Sequence, residues 1–339
     1  MNDTSHFGDL TRSDMLQRPP AGETKEASNQ PLVVTPTFVL RSDNTQWTER
    51  PHDKGSSVDC TGKEVTEPDR HAAKLALEAE PNLAFEHWDE YWRKVHGPKF
   101  AYAGPGTQND SVLRYDQVHR LASGPSSWFR PPYRAMIDDH NRLVADPAAR
   151  VPVYHRPSWD GFAYIAYNSV DDTEQTLAQE QYAKRIIADE QTVFRKVTRQ
   201  LAREFIIIPS ARHRDPFSLV KIHYRQPALS REEFQHQWLH DHADLVASMD
   251  ATKKYVSRYA QLHPFDLTQE DPEGEKIDGI TVLSFASLND VEDYICTRDW
   301  AHIEAAEHTI IDSERSEFWT AVNYNVINRL SSEKVTQKT

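Results

Sequence analysis

The chain has 339 residues, a formal net charge of −13 and 38% hydrophobic residues. That length suggests about two domains, each large enough to bury its own core. The acidic balance argues against nucleic acid or an anionic membrane as partner, and no apolar run approaches the ~20 residues of a membrane span.

Residues 1–30 are polar and carry Pro19-Pro20, which predicts a disordered arm. Residues 33–40 read as a strand that Pro36 limits to an edge or a strand end. A polar loop over 42–68 leads to a short helix, 67–79, ended by Pro81. The next helix, 83–96, is stopped by Gly97-Pro98. A strand at 112–121 is followed by a proline-rich excursion, 124–157, then a strand at 161–168, a helix at 172–188 and a strand at 204–208. The second half opens with a strand at 218–225. Ser230 and Glu233 form an S-x-x-E capping box for a helix running to about 249. A strand at 254–263, an acidic loop at 266–278, a strand at 280–286, a helix at 290–298 and a strand at 317–327 complete it. Residues 331–339 are a polar tail.

The chain repeats itself. LAFEHWDEYWRKVHGP at 83–98 matches LSREEFQHQWLHDHAD at 229–244, with Trp92 on Trp238 and His96 on His242 at an offset of 146. Arg114-Tyr115-x-Gln117-x-His119 recurs as Arg258-Tyr259-x-Gln261-x-His263, Asp160-Gly161 as Asp278-Gly279, and Glu190 falls opposite Glu307. Such order over two copies is the mark of a duplicated domain. Each half is β-α-β-β-α-β, the ferredoxin-like arrangement of an antiparallel sheet with helices on one face. The expected fold is α+β, with two such domains at 31–209 and 217–330 and their sheets laid face to face.

The F/W-x3-W-x3-H helix resembles the EthD-type branch of the dimeric α+β barrel superfamily. The stretches 186–194 and 303–311 resemble the acidic segment ahead of that family's last strand. The resemblance implies a dimeric α+β barrel built within one chain, and small-molecule reactions that need no organic cofactor. Isomerases, cyclases, dehydratases and quinone-forming oxygenases occur among the relatives, as do haem-binding proteins.

The candidate chemistry lies on the repeat. Residues spaced i, i+4, i+8 share a helical stripe, so Trp88-Trp92-His96 and Phe234-Trp238-His242 each set an imidazole beside aromatic rings. An imidazole there can act as general acid or base. The plain structural reading keeps the aromatics as core and the histidines as helix-end cations. Strand alternation puts Tyr115, Gln117 and His119 on one face, as it does Tyr259, Gln261 and His263. These groups either line the space between the sheets or tie the sheets together. Lys221 and His223 alternate with apolar residues on one strand, and Glu190 or Glu307 could orient an imidazole. His242, His96, Tyr259 and Tyr115 are therefore the catalytic candidates. Trp238, Trp92, His263, His119, Lys221 and His223 are the substrate-binding ones. His236, His240 and His242 do not converge on one helix face, so no metal site is expected. No phosphate-cradling glycine loop occurs, and no organic cofactor is expected.

These readings lead to an enzyme of isomerase, lyase or cyclase type acting on a cyclic or aromatic hydroxy or carbonyl compound. An oxidoreductase, cofactor-free or haem-dependent, and a non-catalytic binding or assembly module are the alternatives. The partner is a small molecule, with a homodimer of the tandem unit left open. With Cys60 and Cys296 the only cysteines, and with no signal peptide read at the N-terminus, a reducing cytoplasm is the expected compartment. A single Cys60–Cys296 bridge stays open.

Overall fold

A computed structural model of the chain describes residues 29–41, 85–101, 111–121, 124–127, 130–131, 157–210, 215–266, 276–330 and 332–338. Residues 1–28 of the expected arm over 1–30, the loop at 42–68, the helix at 67–79 and Cys60 lie outside them. So do most of the proline-rich excursion and most of the acidic loop.

Among the described residues nine strands form one antiparallel sheet. They are β1 (Leu32–Arg41), β2 (Arg114–Arg120), β3 (Gly161–Tyr167), β4 (Phe194–Arg199), β5 (Leu201–Ile208), β6 (Phe217–His223), β7 (Val256–Asp266), β8 (Gly279–Phe285) and β9 (Glu317–Asn328). Their order is β3-β2-β9-β6-β8-β7-β5-β1-β4, and β1 also pairs with β3. Eight strands therefore close into a barrel, with β4 attached to β1. The two halves meet edge to edge, through ladders between β2 and β9 and between β5 and β7. This corrects the expectation of two sheets laid face to face, since closure pairs the edges that stacked sheets leave open.

Alternation divides the side chains of each strand. One set, including Val34, Phe38, Phe162, Val220, Leu262, Ile280 and Trp319, fills the barrel interior. The other set packs outward under helices. Those helices are α1 (85–101), α2 (Val170–Leu177), α3 (180–193), α4 (231–248), α5 (Asp250–Tyr255), α6 (Leu288–Ile295) and α7 (Arg298–Glu307). Ser230 Oγ accepts from Glu233 N while Glu233 accepts from Ser230 N, so the predicted capping box opens α4.

Three local expectations need correction. β1 is not an edge strand, for it pairs on both sides. Pro36 still interrupts the ladder as its missing N–H requires. Its carbonyl accepts from Gln200 N, and Gln200 is the break between β4 and β5. Second, Gly97-Pro98 does not stop α1, which runs on to Ala101. Trp92–His96 is a π turn in which Gly97 N donates to Trp92 O. Pro98 has no N–H to lose from a ladder already opened there. Third, α7 was not foreseen as a helix. Thr297 caps it by accepting from Trp300 N.

The π turn recurs in α4 at Trp238–His242. Its cause is the same in both copies. Gln117 Nε2 donates to Trp92 O at 2.8 Å, and Gln261 Nε2 to Trp238 O at 3.0 Å. A side chain inserted at a helical carbonyl displaces the backbone donor by one residue. The repeated Asp-Gly has a matching role. Asp160 pairs with Arg120, and Asp278 with Arg225. A Cβ at Gly161 would meet Trp92 at 2.9 Å, and one at Gly279 would meet Trp238 at 2.5 Å. The glycines are thus the floor on which the signature tryptophans lie.

Gly279→Ala is expected to destabilise the fold by roughly 1–3 kcal/mol, the usual range for overpacking. Urea denaturation measures it, and an unchanged midpoint would contradict this account of the glycine.

Candidate active site

Two buried carboxylates organise the signature histidines. In the second half, α4 carries His242, α7 ends in Glu307, and β6 projects Lys221 outward from the barrel. Lys221 Nζ donates to Glu307 Oε1 at 2.5 Å and also reaches Oε2. His242 Nε2 lies 3.2 Å from Oε1, a charge contact turned off the hydrogen-bond line. All three side chains are buried. The Lys221 ammonium sits over the Trp300 ring, 4.6 Å from its centre. Burial by itself would raise the Glu307 carboxyl, but Lys221 and His242 outweigh it and hold the group well below the usual range. An ionised Glu307 favours the His242 tautomer with its proton on Nε2. His242 Nδ1 is then a buried nitrogen with no protein partner.

The first half rebuilds this cluster with different parts. His96 Nδ1 meets Asp189 Oδ2 at 2.8 Å. Asp189 Oδ1 accepts from Lys99 Nζ at 2.6 Å and from Tyr91 OH at 2.5 Å. Burial would raise Asp189, but its bonds to His96, Lys99 and Tyr91 prevail and set it at about 2. Thr37 stands on β1 where Lys221 stands on β6, so the cation comes from α1 instead. Lys99 is 29% exposed against 8% for Lys221. The cation of the first cluster therefore reaches solvent more than that of the second.

The sequence pointed to Glu190 as the first-half carboxylate. Glu190 instead meets Arg199, at 3.2 Å. The spacing held the signal. Asp160 to Asp278 is 118 residues, and so is Asp189 to Glu307. Lys99, Tyr91 and Trp300 had no comparable signal, because none of them belongs to the repeat.

The remaining candidates lie under the helices and not in the barrel interior, which Arg114 and Arg258 enter instead. Trp92 stacks on His119, with ring centres 4.2 Å apart, and Trp238 on His263, at 4.6 Å. Gln117 and Gln261 donate to the hydroxyls of Tyr115 and Tyr259, at 3.1 and 2.6 Å. Burial pushes both phenols up. His223 Nε2 lies 2.9 Å from Thr281 Oγ1, and His263 Nε2 lies 3.0 Å from Gln261 Oε1. Burial pushes each of these imidazoles down to about 3. His119 is lowered for the same reason, despite Asp89 at 2.6 Å. These groups form a packed wall that fixes α1 and α4 against the sheet. His236 and His240 have adjacent rings, 4.6 Å apart. Among the described residues no group of three His, Cys, Asp or Glu side chains could hold a metal ion.

The described ends of the excursion pass to the second half. Ser127 N donates to Phe318 O on β9. Arg130 makes two bonds to Glu304 on α7 and lies over the Phe318 ring. These described residues of the excursion thus contact the other half of the chain. They brace the helix that bears Glu307.

Residues 226–314 match the family model of the EthD domain. The second half contains an EthD domain. The match takes in His242 and Glu307 and begins just after Lys221. No curated protein sequence matches the chain. Solved structures similar to the chain include these two. An anthrone oxidase-like protein is 10% identical, covers 91% of this chain and 99% of its own, and has a TM-score of 0.46. A mutant chlorite dismutase from Candidatus Nitrospira defluvii is 11% identical, with coverages of 93% and 96% and a TM-score of 0.39. No helix among the described residues is long and apolar enough to cross a membrane.

Two outcomes follow for the EthD domain. Lys221→Met leaves Glu307 buried without its ammonium and is expected to cost roughly 3–5 kcal/mol, while Lys221→Met with Glu307→Leu recovers most of it. A double-mutant cycle by chemical denaturation reads both, and an equally unstable double variant would contradict the pairing. Secondly, His223 and His263 stay neutral in the fold to about pH 3 but gain protons near 6.5 when unfolded. The unfolded state then binds more protons between those limits, so stability falls as pH drops from about 6.5 towards 3. His263→Phe should flatten that slope, and an unchanged slope would place the acid sensitivity elsewhere.

Proposed function

We propose that the protein is an enzyme that moves a proton on a cyclic or aromatic hydroxy or carbonyl compound, with His242 as general base and then acid. The reaction class is isomerisation, elimination or ring closure, without an organic cofactor. The observation that carries this reading is His242, whose two buried ring nitrogens make no hydrogen bond in the protein while Nε2 lies 3.2 Å from Glu307 Oε1. An imidazole beside a carboxylate at one nitrogen offers the other as a base. Nδ1 takes the proton, Glu307 stabilises the imidazolium, and Lys221 keeps Glu307 ionised. The proton then returns to a second atom of the substrate, so no redox equivalent is consumed. His242 is only 6% exposed, and substrate entry requires the layer of α4 and α7 to open.

The same proposal treats the halves, 31–209 and 217–330, as two copies of one ferredoxin-like unit. Within each half the strands run in the same order, β5-β1-β3-β2 and β9-β6-β8-β7. The π turn, the Gln-to-Trp bond and the Asp-Gly floor recur in both. His96 with Asp189 and Lys99 forms a second copy of the base, with a more exposed cation. A cytoplasmic, small-molecule role belongs to this reading.

Haem does not fit the described residues well. The barrel cavity described below has no histidine among its lining residues. His119 and His242 each keep a buried ring nitrogen without a partner, but neither lines that cavity.

Incubation with phenolic and β-dicarbonyl ring compounds in D2O tests the proposal, with NMR reading deuterium entry at carbon and an electrode reading O2. Enzyme-dependent exchange or product without O2 uptake is expected, reduced roughly 10²–10⁴-fold by His242→Ala. Turnover that depends on O2 would favour the oxygenase reading, and turnover unaffected by His242→Ala would refute the assignment.

A further inference from the structure

The arginines of the repeated Arg-Tyr-x-Gln-x-His motif take no part in the cluster under the helices. Arg114 and Arg258 enter the barrel and are both buried. Both donate to Glu204 Oε1, at 2.5 and 2.7 Å, and both hold Glu333, at 2.8 and 2.9 Å. The Tyr164 hydroxyl also donates to Glu204. A barrel that needed only filling would be apolar here, as the rest of its interior is. Burying an ion network costs several kcal/mol per ion and adds little net stability. Beside the network lies a cavity of about 300 Å³, bounded by Arg114, Arg258, Tyr164, Asp116, Asn323 and Glu333 among others.

The cavity sits where the internal symmetry fails. Val33 on β1 faces Tyr167 and Arg203, as Phe217 on β6 faces Phe285 and Val322. By that register Asn323 holds on β9 the place of Glu204 on β5. A neutral amide offers a guanidinium little, and Arg114 crosses to Glu204. Asn323 Nδ2 donates to Asp215 O and Ser218 Oγ, each at 2.7 Å, while its Oδ1 is buried without a partner. An open amide oxygen calls for a hydroxyl or N–H donor. The second carboxylate of the network is not part of the barrel. Glu333 belongs to the segment 332–338, which bonds to β5 through Thr336 and Ile206, and to Asn29 and Asp244. Burial would raise Glu333, but Arg258 and Arg114 hold it at about 2.

We propose that the barrel interior is a second ligand site, for a small hydroxylated carboxylate, and that Glu333 fills the carboxylate position until such a ligand displaces it. The ligand carboxylate takes the place of Glu333 against Arg114 and Arg258, where paired guanidinium donors suit a planar anion. A ligand hydroxyl donates to Asn323 Oδ1. No covalent bond changes, and the site is independent of the His242 cluster. The expected tail over 331–339 is thus corrected for 332–338, which seals the barrel with a buried acid.

Isothermal titration of the full chain with L-tartrate tests this, with succinate as the analogue that lacks hydroxyls. One tartrate per chain is expected, bound more tightly than succinate. Glu333→Gln should raise the tartrate affinity at least about tenfold, a gain of about 1.4 kcal/mol. Asn323→Ala should reduce tartrate to the level of succinate, and Arg258→Lys should weaken both. Thermal midpoints show that each variant is folded. The wild-type titration needs no substitution, and no tartrate binding at millimolar concentration would overturn the proposal. So would equal binding of tartrate and succinate, or affinity unchanged by Arg258→Lys.

Discussion

A buried carboxylate stays ionised only when a cation shares its burial, and the second half is arranged around that requirement at Glu307. Lys221 comes from the sheet and His242 from the helix, and α7 delivers the acid to the point where they meet. Taking any one away leaves an uncompensated charge or an unoriented ring. The geometry of the helix depends on the same layer. The amide of Gln261 opens α4 at Trp238, and the resulting π turn brings Trp238 and His242 to the sheet together. Structure and candidate chemistry thus rest on one set of outward-facing strand positions.

The halves share this plan and differ in how they satisfy it. The first uses Asp189 in place of Glu307 and Lys99 in place of Lys221, and engages its histidine through the other ring nitrogen. That substitution trades a sealed cation for a partly exposed one. Inside the barrel the difference runs the other way. The first half contributes Glu204, the second a neutral Asn323, and both arginines gather on Glu204 as they do on Glu333. The chain therefore carries two unequal helix-side clusters and one unequal interior.

Much of this was legible in the residues. The repeat marked the paired helices, the Tyr-x-Gln-x-His strands and the Asp-Gly turns, and each proved to be a contact between sheet and helix. The capping box at Ser230 was read correctly, since it is a local interaction between residues three apart. What escaped was non-local. Pro36 was rightly read as a ladder breaker, yet it could sit in a central strand because the break falls opposite Gln200. Nothing in the periodicity of 298–307 announced α7, whose sides are mixed in character. The barrel closure was hidden because edge-to-edge and face-to-face pairing bury the same alternating residues. Glu333 was hidden because a polar tail gives no sign that one of its acids is enclosed.

The state of the His242 ring tests the central claim most directly. Long-range ¹H–¹⁵N correlation spectra of labelled protein report which ring nitrogen carries the proton. The account predicts that the neutral ring carries its proton on Nε2 and leaves Nδ1 unprotonated, and that this preference is lost in Glu307→Gln. A proton on Nδ1 in the wild type, or a preference indifferent to Glu307, would contradict it.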